Sequence, residues 1–252
     1  MILTHQPRVL PIASTGGEIT VTPIPLRRDD PSSPWCYASS SSLLLPPGTN
    51  FLATQVWPSS RIASTIIERH MDPSWIVCEL GCGPGLPSLT AARSGAKQVI
   101  ATDVDEVALE MVRAAAMEQD FCGKTCEYND EHDNEQRFIT KNFDLTSRVD
   151  TFPKADLYIL SDVFESSFVA EGVAWHVQNI LTNNSKGDEF SRVWVFAQSD
   201  RSQRDLFLNQ MKEWSTVNDN ERLLIEWTLD HNPPHDAELW LFDLDETTVI
   251  YN

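Results

Sequence analysis

Basic side chains are scarce in this sequence, which has 19 lysine and arginine residues against 37 aspartate and glutamate residues in 252. The formal net charge is therefore −18 at pH 7. Such a field repels phosphate backbones and anionic lipid surfaces, so we expect neither a nucleic-acid nor a membrane partner. It would attract a basic peptide or protein tail, although an acidic balance also simply keeps a globular protein dispersed.

Long apolar runs and regularly spaced cysteines are lacking as well. The first residues, MILTHQPRVLPIA, contain early prolines and no continuous apolar stretch, which is atypical of a secretory signal, so we expect a location in the cytosol or the nucleus. The uncharged stretch 31–60 is as long as a membrane span but contains five prolines, which indicate a loop or edge segment. The five cysteines are odd in number and neither C-x3-C pair has zinc-ribbon spacing, so we expect no disulfide framework and no metal.

Short apolar runs alternate with segments of helical periodicity from residue 58 onward. We predict that residues 1–50, rich in proline and serine, form an N-terminal extension packed on a main domain of residues 51–252. The alternation predicts an α/β protein with a doubly wound, mostly parallel, seven-stranded sheet. The last two predicted strands are joined by a loop that we take as too short for a helical crossover, so we predict a C-terminal antiparallel hairpin.

The predicted elements are spread over the whole main domain. The predicted helices are 58–71, 86–94, 105–117, 168–181 and 202–214, and the predicted strands are 75–80, 98–103, 138–143, 157–162, 193–197, 222–229 and 238–245.

A glycine-rich turn ends the first predicted core strand and opens a helix. Its sequence is Glu79-Leu80-Gly81-Cys82-Gly83-Pro84-Gly85. Such a backbone can approach a ligand closely, which indicates a nucleotide-type ligand. The Glu79 carboxylate would oppose a pyrophosphate but favour a cation, and Asp103, at the end of the next strand, can accept both hydroxyls of a ribose. Together these features point to S-adenosylmethionine, which carries an ammonium and a sulfonium.

The segment from Gly81 to Asp103, GCGPGLPSLTAARSGAKQVIATD, resembles the eukaryotic seven-β-strand protein lysine methyltransferases of the methyltransferase-like group. Those proteins have the class I, Rossmann-like fold, and the resemblance reaches from about residue 55 to about residue 244. It implies that Asp162, at the end of the fourth strand, is the catalytic residue that faces the substrate amine. The residues expected to bind the cofactor are Trp57, Glu79, Gly81, Cys82, Gly83, Gly85, Asp103, Val104, Asp144, Leu145 and Ser161.

Two positions depart from the pattern of that family. Its motif after the fourth strand is Asp-x-x-Tyr, whereas this sequence has Asp162-Val-Phe-Glu165. After the third strand the family usually has a tryptophan beside the adenine, whereas this sequence has Asp144 and Leu145. The departures concern the substrate and adenine contacts, and they indicate a divergent member.

The resemblance implies an enzyme that transfers a methyl group to a lysine of a basic or chaperone-like protein, and we expect this enzyme to be a monomer. Positioning and a negative pocket supply most of the help in such a transfer, and Asp162 would orient the amine, unless it merely caps the next helix. Two other functions stay open, a small-molecule N- or O-methyltransferase and a cofactor-binding interaction module without activity. The acidic cluster within residues 127–135 is either a solvated loop or a docking rim for a basic substrate.

Overall fold

The computed structural model describes residues 8–11, 18–21, 51–121, 137–148, 152–184, 191–198, 201–217, 225–227 and 239–244. The helices in these ranges are α1 (Pro58–His70), α2 (Leu86–Arg93), α3 (Glu106–Glu118), α4 (Ser167–Asn184) and α5 (Arg204–Val217), with a short 3-10 helix at Phe51–Thr54. The strands are β1 (Arg8–Pro11), β2 (Glu18–Val21), β3 (Ile76–Leu80), β4 (Gln98–Asp103), β5 (Phe138–Asn142), β6 (Leu157–Ser161), β7 (Arg192–Gln198), β8 (Ile225–Trp227) and β9 (Leu239–Leu244).

Local sequence accounts for where the helices begin. Pro58 opens α1, where its missing N–H leaves no hydrogen bond unmade. The Asp105 carboxylate caps α3 by accepting from the N–H of Val107 at 2.8 Å, and the Ser166 hydroxyl accepts from the N–H of Val169 at 3.3 Å at the start of α4. All five predicted helices are confirmed, with ends that differ by a few residues.

The main sheet has the strand order β5-β4-β3-β6-β7-β9-β8. Its ladders from β5 to β7 are all parallel. The chain runs outward from β3 through β4 to β5, then returns to the other side of β3 with β6 and β7. The loops that follow β3 and β6 therefore diverge, and open parallel sheets bind ligands in the crevice at such a switch point.

Side chains of the parallel strands alternate between two apolar cores, one on each face of the sheet. Val77 and Ile159 point into the core that contains side chains of α1, α2 and α3. Cys78 and Leu160 point into the core that contains side chains of α4 and α5. Burial on both faces explains why these strands are almost continuously apolar. The predicted doubly wound, Rossmann-like α/β architecture is confirmed.

The predicted C-terminal antiparallel hairpin is wrong. β9 pairs with β7 in parallel, and β8 pairs with β9 in parallel. The prediction took the connection between the last two strands as too short for a parallel return. The described part of β8, Ile225–Trp227, covers about 10 Å at strand geometry, and eleven residues of sequence lie between it and β9. An extended chain of that length spans more than this distance without a helix.

β1 and β2 form a separate antiparallel pair, and β2 contacts α2. The rest of residues 1–50 lies outside the described residues, as do the acidic cluster within 127–135 and Cys36, Cys122 and Cys126. None of the helices in the described ranges has the length and apolarity needed to cross a membrane. In the same ranges, no three His, Cys, Asp or Glu side chains are grouped so that they could hold a metal ion.

Candidate active site

A cavity of about 150 Å³ opens at the switch point between β3 and β6. Its walls are the glycine turn after β3, the end of β4, the segments that follow β5 and β6, and the residues ahead of α1. The predicted site residues that line it are Trp57, Gly81, Cys82, Gly83, Asp103, Val104, Asp144, Leu145, Ser161 and Asp162. Glu79 and Gly85 are not part of its lining.

The glycine turn is shaped by the protein itself. Gly81 and Gly83 have φ values of 73° and 50°, in the left-handed region that favours glycine. A Cβ atom on Gly81 would lie 2.7 Å from Cγ1 of Val163, and one on Gly83 would lie 3.2 Å from the carbonyl oxygen of Ala53. Val163 and Ala53 both line the cavity. Glycine at positions 81 and 83 therefore lets these walls lie close to the turn without a collision.

Gly85 lies at the junction of the glycine turn and α2. It is the N-cap of α2, with a φ of 73°. A Cβ atom there would lie 2.6 Å from Cγ2 of Val112 on α3. Gly85 therefore lets α3 pack against the start of α2, behind the turn that faces the cavity.

Glu79 lies on the α2 side of the sheet and is 1% exposed. Its Oε2 accepts hydrogen bonds from the N–H and the hydroxyl of Ser88, at 2.9 and 2.5 Å. Its Oε1 is buried and has no hydrogen-bond partner in the described part of the chain. Burial raises the pKa of Glu79 to about 8, and the nearby Asp103 carboxylate raises it too, although the Ser88 hydrogen bonds act the other way. A cation in the cavity would favour its ionised form.

The pKa of Glu79 predicts how stability depends on pH. The folded protein keeps a proton that the unfolded chain releases near pH 4.5, so we expect the free energy of unfolding to decrease between about pH 5 and about pH 8. Glu79→Gln keeps a neutral side chain and should remove most of this decrease. Thermal unfolding of both proteins across this range measures it, and an equally steep decrease in the variant would assign it to another group.

Asp103 is held at the end of β4 by backbone hydrogen bonds. Its Oδ2 accepts from the N–H of Gly83 at 2.8 Å, and its Oδ1 accepts from the N–H of Asp105 at 2.9 Å. Burial raises the pKa of Asp103, while these backbone bonds favour its ionised form. Each carboxylate oxygen has a further lone pair, so Asp103 can still accept from two ligand hydroxyls.

Asp162, the predicted catalytic residue, is engaged in an ion pair. It has a φ of 60°, and its side chain is fully buried. Its oxygens accept hydrogen bonds from Nε and Nη2 of Arg201, both at 2.7 Å. The Arg201 guanidinium also lies 4.7 Å from the ring centroid of Trp57. The alternative role of Asp162 as a helix cap is not the one seen, because Ser166 makes that bond to α4.

The segment after β5 forms the wall where the family resemblance implies an adenine contact. Oδ1 of Asp144 accepts from the N–H and the hydroxyl of Thr146, at 2.8 and 2.7 Å. Leu145 is packed closely by α4, because a Cβ atom on Gly172 would lie 2.0 Å from the Leu145 carbonyl oxygen. The position of this wall therefore depends on α4.

The remaining predicted residues differ in exposure. Val104 is 56% exposed, and the hydroxyl of Ser161 lies 3.2 Å from that of Ser60, which connects β6 to α1. Cys82 is buried, with its thiol donating to the Gly83 carbonyl at 3.5 Å. Burial raises the pKa of the Cys82 thiol and that of Cys78, so neither thiol is a nucleophile at neutral pH.

Two charged residues of the cavity were missed by sequence reasoning. Arg201 follows β7, and Glu165 follows β6 and was noted only as a departure from the family motif. A signal for Arg201 existed: β6 and β7 are adjacent parallel strands, so the residues beyond their carboxyl ends meet at the same edge of the sheet. Without the strand order, nothing in the sequence connects Arg201 to Asp162.

The arrangement suits a cationic ligand that also carries vicinal hydroxyls. The wall contains Asp103, with acceptor capacity to spare, and the buried Glu79 behind the turn has an unbonded oxygen. Burial raises the pKa of both carboxyl groups, and a ligand cation would relieve this penalty. A polyphosphate would instead meet several carboxylates, so the residues present fit S-adenosylmethionine better than a dinucleotide.

Comparisons with known proteins agree with this chemistry for part of the chain. The family model described as "Ribosomal protein L11 methyltransferase (PrmA)" matches residues 25–145, slightly less than half of the sequence. The ribosomal protein L11 methyltransferase of Ruminiclostridium cellulolyticum is 39% identical over 67 residues, 27% of this chain and 21% of that protein. The protein of the same name from Dechloromonas aromatica is 37% identical over 75 residues, 30% of this chain and 25% of that protein.

Among solved structures, the ribosomal protein L11 methylase of Lactobacillus delbrueckii subsp. bulgaricus matches with a TM-score of 0.42 and 19% identity, over 68% of this chain and 72% of that one.

The chain spans about a fifth to a quarter of the length of the two curated relatives, from Ruminiclostridium cellulolyticum and Dechloromonas aromatica. The match to the family model, over residues 25–145, includes the glycine turn and Asp103.

Proposed function

We propose that this protein is an S-adenosylmethionine-dependent methyltransferase that modifies a lysine of a protein substrate. The observation that carries the proposal is the cavity at the switch point, where Asp103 lies in the wall and the buried Glu79 lies behind the glycine turn. The similarity of residues 25–145 to methyltransferases supports the same cofactor.

Each side chain of the wall has a proposed task toward this cofactor. Asp103 would accept the ribose hydroxyls, and Glu79 would stabilise the positive charge from behind the turn. Trp57 and Leu145, which both line the cavity, would supply apolar contacts. When bound, S-adenosylmethionine supplies an electrophilic methyl group on a sulfonium, which leaves as a neutral thioether. The protein has to hold the acceptor in line with that methyl group and exclude water.

A protein substrate is supported by two observations. The net charge of −18 favours a basic partner, and the named relatives are ribosomal protein L11 methyltransferases. The choice of lysine, the narrower likeness to the eukaryotic group, the monomeric state, the cytosolic or nuclear location and the division at residue 50 remain predictions from the sequence.

The proposal is tested by incubating the protein with methyl-labelled S-adenosylmethionine and either purified bacterial ribosomal protein L11 or a cytosolic extract. We expect a labelled protein band whose acid hydrolysate contains methyllysine. Label only in small solutes would support a small-molecule methyltransferase. Calorimetry with S-adenosylmethionine and with NAD provides the control, because binding of the methyl donor without any transfer would indicate an interaction module. Tight binding of NAD alone would refute the cofactor assignment.

A further inference from the structure

The buried carboxylate at the end of β6 is already occupied by a cation. Both oxygens of Asp162 accept hydrogen bonds from Arg201, and the Asp162 side chain is fully buried. Breaking one partner out of a buried ion pair is strongly unfavourable, because the other charge is left uncompensated. An acceptor ammonium would have to share the buried Asp162 with Arg201, which already neutralises its charge.

Further contacts hold Arg201 where it is. Its Nη2 also donates to Oε1 of Gln198 at 3.2 Å, and its guanidinium stacks on Trp57. A guanidinium fixed on three sides does not exchange readily for a lysine ammonium. A second cation placed beside it would be repelled, unless another carboxylate compensates it.

Four carboxyl groups line the cavity, and three of them are bound locally. Asp103 is held by two backbone N–H groups, Asp144 by Thr146, and Asp162 by Arg201. The fourth, Glu165, has solvent access although its carboxyl group is partly desolvated, and it makes no side-chain hydrogen bond to another residue in the described ranges. It lies three residues after Asp162, on the same wall.

We infer that Glu165, rather than Asp162, is the carboxylate that receives the acceptor ammonium and takes up its proton, while Arg201 and Asp162 position that wall. The inference rests on the proposed function and concerns the position where the family motif has a tyrosine. Desolvation raises the pKa of Glu165, the Asp103 and Asp162 carboxylates raise it further, and Arg201 lowers it. A raised pKa makes the carboxylate a better proton acceptor near neutral pH.

The proposed transfer moves one proton and one methyl group. The lysine enters as an ammonium, and its proton passes to the Glu165 carboxylate, which leaves a lone pair on the nitrogen. That lone pair forms the bond to the methyl carbon while the carbon–sulfur bond breaks and its electron pair stays on sulfur. The nitrogen then carries the positive charge as a methylammonium, and Glu165 releases its proton to water.

The test measures binding of an acceptor probe, so it does not depend on turnover. The probe is Nα-acetyl-lysine methyl ester, in which the side-chain ammonium is the only charge, titrated by NMR into protein saturated with S-adenosylhomocysteine. Glu165→Gln should weaken probe binding about tenfold, the effect of losing one partly desolvated charge pair. Glu118→Gln, which changes an exposed carboxylate at the end of α3 outside the cavity, is the matched control.

A pH titration gives a second readout. Probe affinity of the wild type should decrease as the pH falls through the raised pKa of Glu165, and this decrease should be absent from Glu165→Gln. Asp103, Asp162 and Arg201 are the charged groups that act on Glu165. Asp162→Asn should lower the melting temperature and weaken the probe less than Glu165→Gln does, since it acts through Arg201.

Two outcomes would overturn the inference: wild-type protein that does not bind the probe, or Glu165→Gln that binds it as well as wild type. Failure of the proposed function is distinguishable, because calorimetry would then detect no binding of S-adenosylhomocysteine to wild-type protein. If the cofactor product binds and Glu165→Gln changes nothing, only the role of Glu165 is refuted.

Discussion

Replacement of Asp103 by asparagine is expected to lower the affinity for S-adenosylmethionine about 100-fold or more. A hydrogen bond to a charged acceptor contributes about 1.5–3 kcal/mol, and Asp103 would accept two from the ribose. The variant also loses one of its own backbone bonds, because an amide NH2 would point at the N–H of either Gly83 or Asp105. The glycine turn would therefore lose part of its support as well.

Isothermal titration calorimetry with S-adenosylmethionine and with S-adenosylhomocysteine measures the effect of Asp103→Asn. The ribose is common to both, so both affinities should fall together. Asp120→Asn is a suitable control, because Asp120 is exposed after α3, has a φ of 57° and tolerates asparagine well. Losing even one hydrogen bond to a charged acceptor should lower the affinity by more than about threefold. A smaller change in Asp103→Asn would therefore show that Asp103 is not a ribose ligand.

Gly172→Ala is expected to destabilise the protein by about 1–2 kcal/mol, although alanine is the better helix former. The gain in helix propensity is at most about 1 kcal/mol. The new Cβ atom would lie 2.0 Å from the carbonyl oxygen of Leu145, which is backbone and cannot rotate away. Forcing backbone apart in a packed region costs about 1–3 kcal/mol and occasionally more, so the collision outweighs the propensity.

Chemical denaturation measures this destabilisation, and cofactor affinity provides a second readout, because Leu145 lines the cavity. Gly95→Ala is the comparison: its φ of 93° makes alanine unfavourable, but the new Cβ would come no closer than 3.9 Å to Pro73. We expect Gly95→Ala to lower stability without affecting cofactor binding. Unchanged stability and affinity in Gly172→Ala would mean that α4 does not hold the cavity wall.

Most of the fold was predictable because it depends on local patterns. Apolar periodicity located the helices, and short apolar runs bounded by glycine or proline located the parallel strands. The direction of β9 was not predictable from such patterns, since nothing local distinguishes a strand that pairs in parallel from one that pairs antiparallel. The length of the connection does not decide the direction either, because eleven residues can join two neighbouring short strands in either orientation.

The candidate site was predictable to the extent that it follows from strand ends. Asp103, Ser161 and the glycine turn lie at carboxyl ends of adjacent strands and meet in the cavity as expected. The orientation of Glu79 could have been deduced, because strand alternation places it on the same face as Val77, beneath α2. Its hydrogen bonds to Ser88 could not, since they depend on the helix position.

The pairing of Asp162 with Arg201 is the part that sequence reasoning could not supply. The two residues are 39 positions apart, and a motif that contains only Asp162 describes half of the pair. Compared with the same motif, Glu165 was only a departure at the position of the tyrosine, which indicated a divergent member. In the structure it is the carboxylate of the cavity that makes no side-chain hydrogen bond to another residue in the described part of the chain.

The two buried thiols have a practical consequence. Because Cys78 and Cys82 are buried with raised pKa values, peroxide and maleimides should leave them unmodified while the protein is folded, so oxidation there does not provide an off switch. Both cysteines lie at the glycine turn or in the strand leading to it. Their alkylation, followed residue by residue in a mass spectrometer, would therefore report how often that turn opens and how strongly a bound cofactor keeps it shut.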